Sequence, residues 1–233
     1  MKTAFESTDP FTPDARHIAI IAAGLSDPSS TSLLAKQLGQ TTADALSARG
    51  HRPELHHFEL RTVATDIADS MVTFSRSEQL SEMINEVEQA DGIIAVSPVF
   101  KASYSGLFKS FWDLVDNEAL KDVPVQLGAT GGSPRHSLVI DTAMRPLFSY
   151  LRMRVMPTGV YAATEDWGSV DTTKNPRDHE SNAAYLDRRI AHAGQDFAEV
   201  VARLDPRPRR APLQPKELEV IPFDQLLNGP DAS

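Results

Sequence analysis

Apolar residues in this chain form short unbroken runs. These alternate with longer stretches in which apolar positions recur every three or four residues. The run at 17–24 (His-Ile-Ala-Ile-Ile-Ala-Ala-Gly) has no polar alternation, the pattern of a strand covered on both faces. A polar loop at 25–31 leads into residues 32–48, where Leu33, Leu34, Leu38, Ala45 and Leu46 fall at helical spacing. Arg49-Gly50 closes that helix, with glycine in its usual place after the last turn. A second strand is predicted at 54–60 and a helix over 62–74. A clearly amphipathic helix follows at 77–90, with Leu80, Met83, Ile84 and Val87 on one face. Residues 93–97 are a third buried strand, which Pro98 is expected to stop. The spacing then predicts a helix over 104–115, a strand at 123–129, a helix over 138–151, a strand at 155–162 made irregular by Pro157 and Gly159, and a closing helix over 186–204. Strict β-α alternation makes a parallel sheet with helices on both faces. Five strands suit the order 2-1-3-4-5, which places a binding site beyond the carboxyl ends of strands 1, 3 and 4.

The ends of the chain differ from this middle. Residues 1–14 mix Ser, Thr, Asp and Pro and read as a flexible arm; 15–204 form one α/β domain; 205–233 are a proline-rich tail that cannot be helix or central strand. In that tail, Leu218, Val220, Ile221 and Phe223 offer at most a short apolar strap, and the tail is expected to be dispensable for chemistry. The 233 residues include no cysteine, which excludes disulfides, thiolate metal sites and cysteine nucleophiles. A formal charge of −9 with scattered basic residues argues against nucleic acid as a partner. The polar start lacks a secretory h-region and no apolar run is long enough to span a bilayer, so a soluble cytoplasmic protein is expected.

Three loops follow predicted strands and carry candidate chemistry. The first, residues 24–33, gathers Ser26, Ser30, Thr31 and Ser32 at a helix start, where hydroxyls, free N–H groups and the helix dipole suit a phosphate. It has neither the lysine of a Walker A loop nor a G-x-G-x-x-G fingerprint. The alternative is an ordinary capping turn. The second, residues 97–109, offers Phe100 and Tyr104 to the face of a flat ring, although either could be simple core. The third, residues 130–136, contains Gly131-Gly132, which would let backbone approach a ligand, beside Arg135 and His136. The alternative there is a plain turn.

Residues 97–113 resemble the T/S-P-x-Y-x-x-S-Y-x-G-x-L/F-K-x-x-x-D signature of the NADPH-dependent FMN reductase family. The stretch from Gly132 through Leu138, with Asp141, Ala143, Met144, Pro146, Leu147 and Leu151, is similar to the alkanesulfonate-linked FMN reductases. The resemblance spans about residues 18–204. It implies a flavodoxin-like three-layer sandwich that uses FMN and NADPH or NADH, forms a homodimer or homotetramer, and can hand reduced flavin to a monooxygenase. It implies that Ser26, Ser30, Thr31 and Ser32 hold the phosphate. Pro98, Val99, Phe100, Lys101, Ser103 and Tyr104 would flank the ring, and Thr130, Gly131, Gly132 and Ser133 its other edge, with Arg135 and His136 nearby. The chain departs from the family where Asp27-Pro28 stands in place of a common arginine, Phe100 of a common tyrosine and Lys101 of a common asparagine. Asp27 is therefore expected to point outward. The alternatives are an FMN-containing quinone or azo reductase, a flavodoxin-type electron carrier, or a flavin-free binding module.

Hydride transfer of this kind needs stacking, anion sites and polarisation of the flavin edge, so no side chain is nominated as acid or base. No metal site is expected either, because His56-His57 has no third ligand at a suggestive sequence spacing. The bulk of Phe108, Phe111 and Trp112 suggests that their helix is partly buried between subunits.

Overall fold

In the computed structural model, residues 14–168 and 182–209 are described. The buried runs become the parallel strands β1 (Ala15–Ala22), β2 (Arg52–Glu59), β3 (Gly92–Phe100) and β5 (Pro124–Gly131), in the order β2-β1-β3-β5. The expected fifth strand is split into β6 (Arg154–Val155) and β7 (Val160–Ala163), both parallel to β5. Pro157 and Gly159 lie in the gap between them. A two-residue strand β4 (Ser103–Tyr104) pairs antiparallel with the end of β3. The sheet thus has seven strands rather than five, one of them antiparallel, while its main path keeps the expected order.

Pro98 does not stop β3. The ladder between β1 and β3 ends at Val96, while pairing with β5 runs on to Pro98↔Thr130. The edge facing β1 is free by then, and an edge is where a residue without an N–H is tolerated in a sheet.

Successive residues of the central strands feed two cores, as a period of two requires. Ala19, Ile21, Ile93 and Ala95 face α2 (Ala64–Thr73), α3 (Glu78–Glu88), α4 (Gly106–Trp112) and α6 (Arg145–Tyr150). Ile18, Ile20, Ile94 and Val96 face α1 (Ser30–Ser47) and α7 (Asn182–Arg203). A short helix α5 (Asn117–Leu120) precedes β5.

Phe108, Phe111 and Trp112 are fully covered within the single chain. Trp112 meets Phe148 edge-on at 4.9 Å, and Phe108 lies 6.0 Å from the same ring. Such contacts add about 0.5–1.5 kcal/mol beyond the area they bury. These aromatics are therefore core, and they give no ground for a subunit interface. The predicted helix at 138–151 also changes form. A π-helical turn at Ile140–Met144 precedes α6. Pro146 explains the wider turn, because its ring would collide with an α-helical carbonyl four residues back.

The tail begins by docking. Arg207 donates to the carbonyls of Glu88 (2.9 Å), Ala90 (3.1 Å) and Ala119 (2.6 Å), and its backbone N–H donates to Asp91. The arm at 1–13 and the tail from 210 onward, including the expected apolar strap, lie outside the described residues.

Candidate active site

The loops after β1, β2, β5 and β7 open onto one cavity of about 540 Å³ at the carboxyl edge of the sheet. That size lies within the range typical of small-ligand sites. Its base is the start of α1. Ser29 caps the helix, its Oγ accepting from the Ser32 N–H at 3.2 Å, while the Leu33 N–H donates to the Ser29 carbonyl. A helix start leaves its first N–H groups without intrahelical partners, so those of Ser30 and Thr31 stay available to an anion. Gly24 makes the loop possible, since a Cβ there would overlap the capping Ser29 hydroxyl.

The hydroxyls of the first loop have separate roles. Ser30 is exposed and lines the cavity, as does Ser32, whose Oγ donates to Glu59 Oε2 at 2.6 Å. Thr31 is turned inward: its hydroxyl shares a 2.7 Å hydrogen bond with that of Thr130, and both residues are buried. That bond ties the first loop to the third. Ser26 is exposed and is not among the residues that line the cavity.

In the third loop, Gly131 lines the cavity, and a Cβ there would overlap the Tyr161 hydroxyl, which donates to the Ser133 carbonyl at 2.7 Å. Burial raises the Tyr161 phenol above its usual pKa, and the Asp166 carboxylate adds to the shift, so the donor keeps its proton. Gly132 faces open space, and Arg135 and His136 are exposed on the turn Pro134–His136.

The second loop stands beside the third through the Pro98↔Thr130 register. Ser97 Oγ accepts from the Ser105 N–H, and Val99 and Phe100 pair with Tyr104 and Ser103. Lys101 and Ala102 turn this tight hairpin with positive φ angles of 49° and 64°. Phe100 is 46 % exposed, but neither it nor any other residue of this hairpin lines the cavity; Tyr104 leans on Phe108 at 5.7 Å.

Several lining residues were not singled out from the sequence. Lys36, one turn beyond Ser32 on α1, has no ion-pair partner among the described residues. Arg61 pairs with Asp27 at 3.2 Å and lies 4.0 Å from Glu59. Asp27 has 76 % of its side chain exposed, yet it does not leave the site as expected: it lines the cavity, where the paired Arg61 offsets its charge. Thr164 and Trp167 close the far side on a turn held by the Ala163 N–H, which donates to Asp166 at 2.7 Å.

A mainly parallel α/β sheet with helices on both faces, and a hydroxyl-rich helix start and a glycine turn at one edge, defines a flavodoxin-like protein. The profile of the family described as NADPH-dependent FMN reductase matches residues 16–168, and the chain belongs to that family. It is 37 % identical over 148 residues to the NADH-dependent FMN reductase SfnF of Pseudomonas putida, covering 64 % of this chain and 77 % of that one. It is 39 % identical over 118 residues to an FMN reductase (NADPH) of Pseudomonas aeruginosa, covering 51 % and 63 %. Among solved structures, an oxidoreductase from Corynebacterium diphtheriae superposes with a TM-score of 0.74 at 40 % identity, over 82 % of this chain and 99 % of that one. The apo form of the NADH:FMN oxidoreductase EMOB shares the fold, with a TM-score of 0.60 at 24 % identity, over 78 % and 89 %.

Proposed function

We propose that this chain is an NAD(P)H:FMN oxidoreductase whose flavin occupies the cavity above α1. The observation that carries the reading is the convergence of the three loops at one sheet edge, two of them joined by the buried Thr31–Thr130 bond. The residues present fit FMN. The open N–H groups of Ser30 and Thr31, the Ser30 hydroxyl and the Lys36 ammonium suit a phosphate dianion, and Phe100, exposed on the neighbouring hairpin outside the cavity lining, offers a face to a ring that extends beyond it. The hairpin from Pro98 to Tyr104, and Arg135 with His136, keep the roles that the family resemblance implies, while Ser26, which does not line the cavity, is not assigned to the phosphate. Bound flavin supplies a two-electron acceptor for hydride from a nicotinamide. The chain itself binds, orients and excludes water. No side chain is required as acid or base, and the Ser133 turn, held by Tyr161, fixes the backbone that borders the ring.

The finer picture is a cytoplasmic homo-oligomer, with residues 15–204 as its catalytic domain, that passes reduced flavin to a monooxygenase. The similarity of residues 132–151 to alkanesulfonate-linked reductases supports it. The binding reading is tested by titrating FMN and following flavin fluorescence. Ser30→Ala should weaken binding by about 1.5–3 kcal/mol, the worth of one lost bond to a charged group, whereas Ser32→Ala, whose hydroxyl is already given to Glu59, should change it less. An unchanged Kd in folded Ser30→Ala protein would exclude the cradle.

A further inference from the structure

Away from the flavin cavity, toward the amino ends of β1 and β2, the parallel register sets His17 opposite Glu54 and Ala19 opposite His56. Residues two apart on a strand share a face, so His17, Glu54 and His56 project to the same side of the sheet. Their side chains meet there. His17 Nδ1 lies 3.2 Å from His56 Nε2 and 3.3 Å from Glu54 Oε2, and one donor atom from each residue lies within 4.8 Å of the others. In a tetrahedral site with metal–ligand bonds of about 2.0–2.1 Å, neighbouring donors stand roughly 3.3 Å apart. Two imidazoles and one carboxylate are a donor set suited to zinc, with water in the fourth position.

From the register and these distances we infer that His17, His56 and Glu54 form a zinc(II) site joining β1 to β2. The surroundings are those of a metal centre rather than of a chance cluster. Glu86 Oε2 on α3 stands 3.6 Å from His56 Nδ1, on the side away from His17. A carboxylate there favours the tautomer that keeps the Nδ1 proton and turns the Nε2 lone pair toward the site, as carboxylates behind metal-bound histidines do. Arg209 grips both oxygens of Glu86 at 2.9 Å and so holds it as an outer partner. Arg52 takes Glu54 Oε1 at 2.8 Å, leaving Oε2 to the site. A shallow cavity lined by His56, Met83 and Glu86 gives an entry path. The site is separate from the flavin cradle: seven residues of extended chain, on the order of 20 Å, separate His17 from Gly24. Its role is to clamp strands, not to carry hydride.

The test is calorimetric titration of zinc chloride into the untagged full-length protein after dialysis against a chelator. One zinc per chain is expected, with a rise in Tm of roughly 5–10 °C when free zinc exceeds Kd about a hundredfold. His56→Gln and the more exposed Glu54→Gln should each abolish the saturable step, the latter covering the case in which loss of His56 harms folding. Glu86→Gln should weaken it by about 10–100-fold. Substoichiometric uptake by the wild type would overturn the inference and leave the two rings sharing only a proton. Equal uptake by folded Glu54→Gln protein would overturn it as well.

Discussion

Replacing Thr31 by valine tests whether the first and third loops act as one unit. Valine keeps the shape of threonine but removes the hydroxyl. The Thr130 hydroxyl then loses its 2.7 Å partner in a place where it is only 4 % exposed. A buried polar group left unpaired costs about 1–3 kcal/mol, whereas removing both partners of such a bond is nearly neutral. Thr31→Val and Thr130→Val should therefore each destabilise by about 1–3 kcal/mol. The double variant should lose much less than the sum, a coupling of roughly 1–3 kcal/mol. For a chain of this size each kcal/mol moves Tm by about 2–4 °C, so either single change is visible. Urea unfolding of the flavin-free protein gives the full cycle. The FMN Kd, measured in parallel, should rise in either single variant, because the start of α1 is no longer tied to β5. Additive losses, or singles within 0.3 kcal/mol of wild type, would refute the shared bond and with it the coupling of the two loops.

Gly131→Ala should push a methyl group into the Tyr161 hydroxyl and release Ser133; FMN affinity should fall about tenfold or more, and an unchanged Kd would show that the turn has room to spare. The raised pKa of Tyr161 gives a signed alkaline effect. Its contribution to stability is complete below the unfolded pKa of about 10 and is lost as pH rises through the higher folded value. The advantage of wild type over Tyr161→Phe in denaturation should thus shrink above pH 10, and an advantage that grows there would contradict the assigned shift. Truncation after Leu204 should lower Tm by several degrees, because it removes Arg207 and its three carbonyl contacts; truncation after Arg209 should not.

Much of the fold was legible because the central strands are buried on both faces. Residues 18–21 and 93–96 have no polar position to confuse the pattern, and Leu80, Met83, Ile84 and Val87 mark α3 equally well. What was lost depended on context. Pro98 reads as a terminator until it is seen on an edge that β1 has already left. Phe108, Phe111 and Trp112 read as excess bulk until Phe148 arrives from α6 to cover them. In the site, the serine-rich loop announced a helix start, yet it could not show which hydroxyl turns inward to Thr130 and which meets Glu59. Lys36 was readable, four positions beyond Ser32 and so on the same face of α1. Arg61 and Trp167 follow strands at the same sheet edge, and the rule that pointed to the other loops applies to them too. His17 and His56 stand 39 positions apart, and only the β1–β2 register brings their rings together.

Anaerobic oxidation of NADH and of NADPH by the purified chain, with and without added FMN, tests the central claim most directly. Flavin-free protein should leave either nucleotide unchanged, and added FMN should be bleached as nucleotide is consumed in equal amount. His136→Ala should slow that rate by about tenfold or less, which is one supporting contact of ~1.4 kcal/mol. Nucleotide oxidation at full rate by protein stripped of all flavin, or none with FMN bound and both nucleotides present, would contradict the assignment of this cavity to flavin reduction.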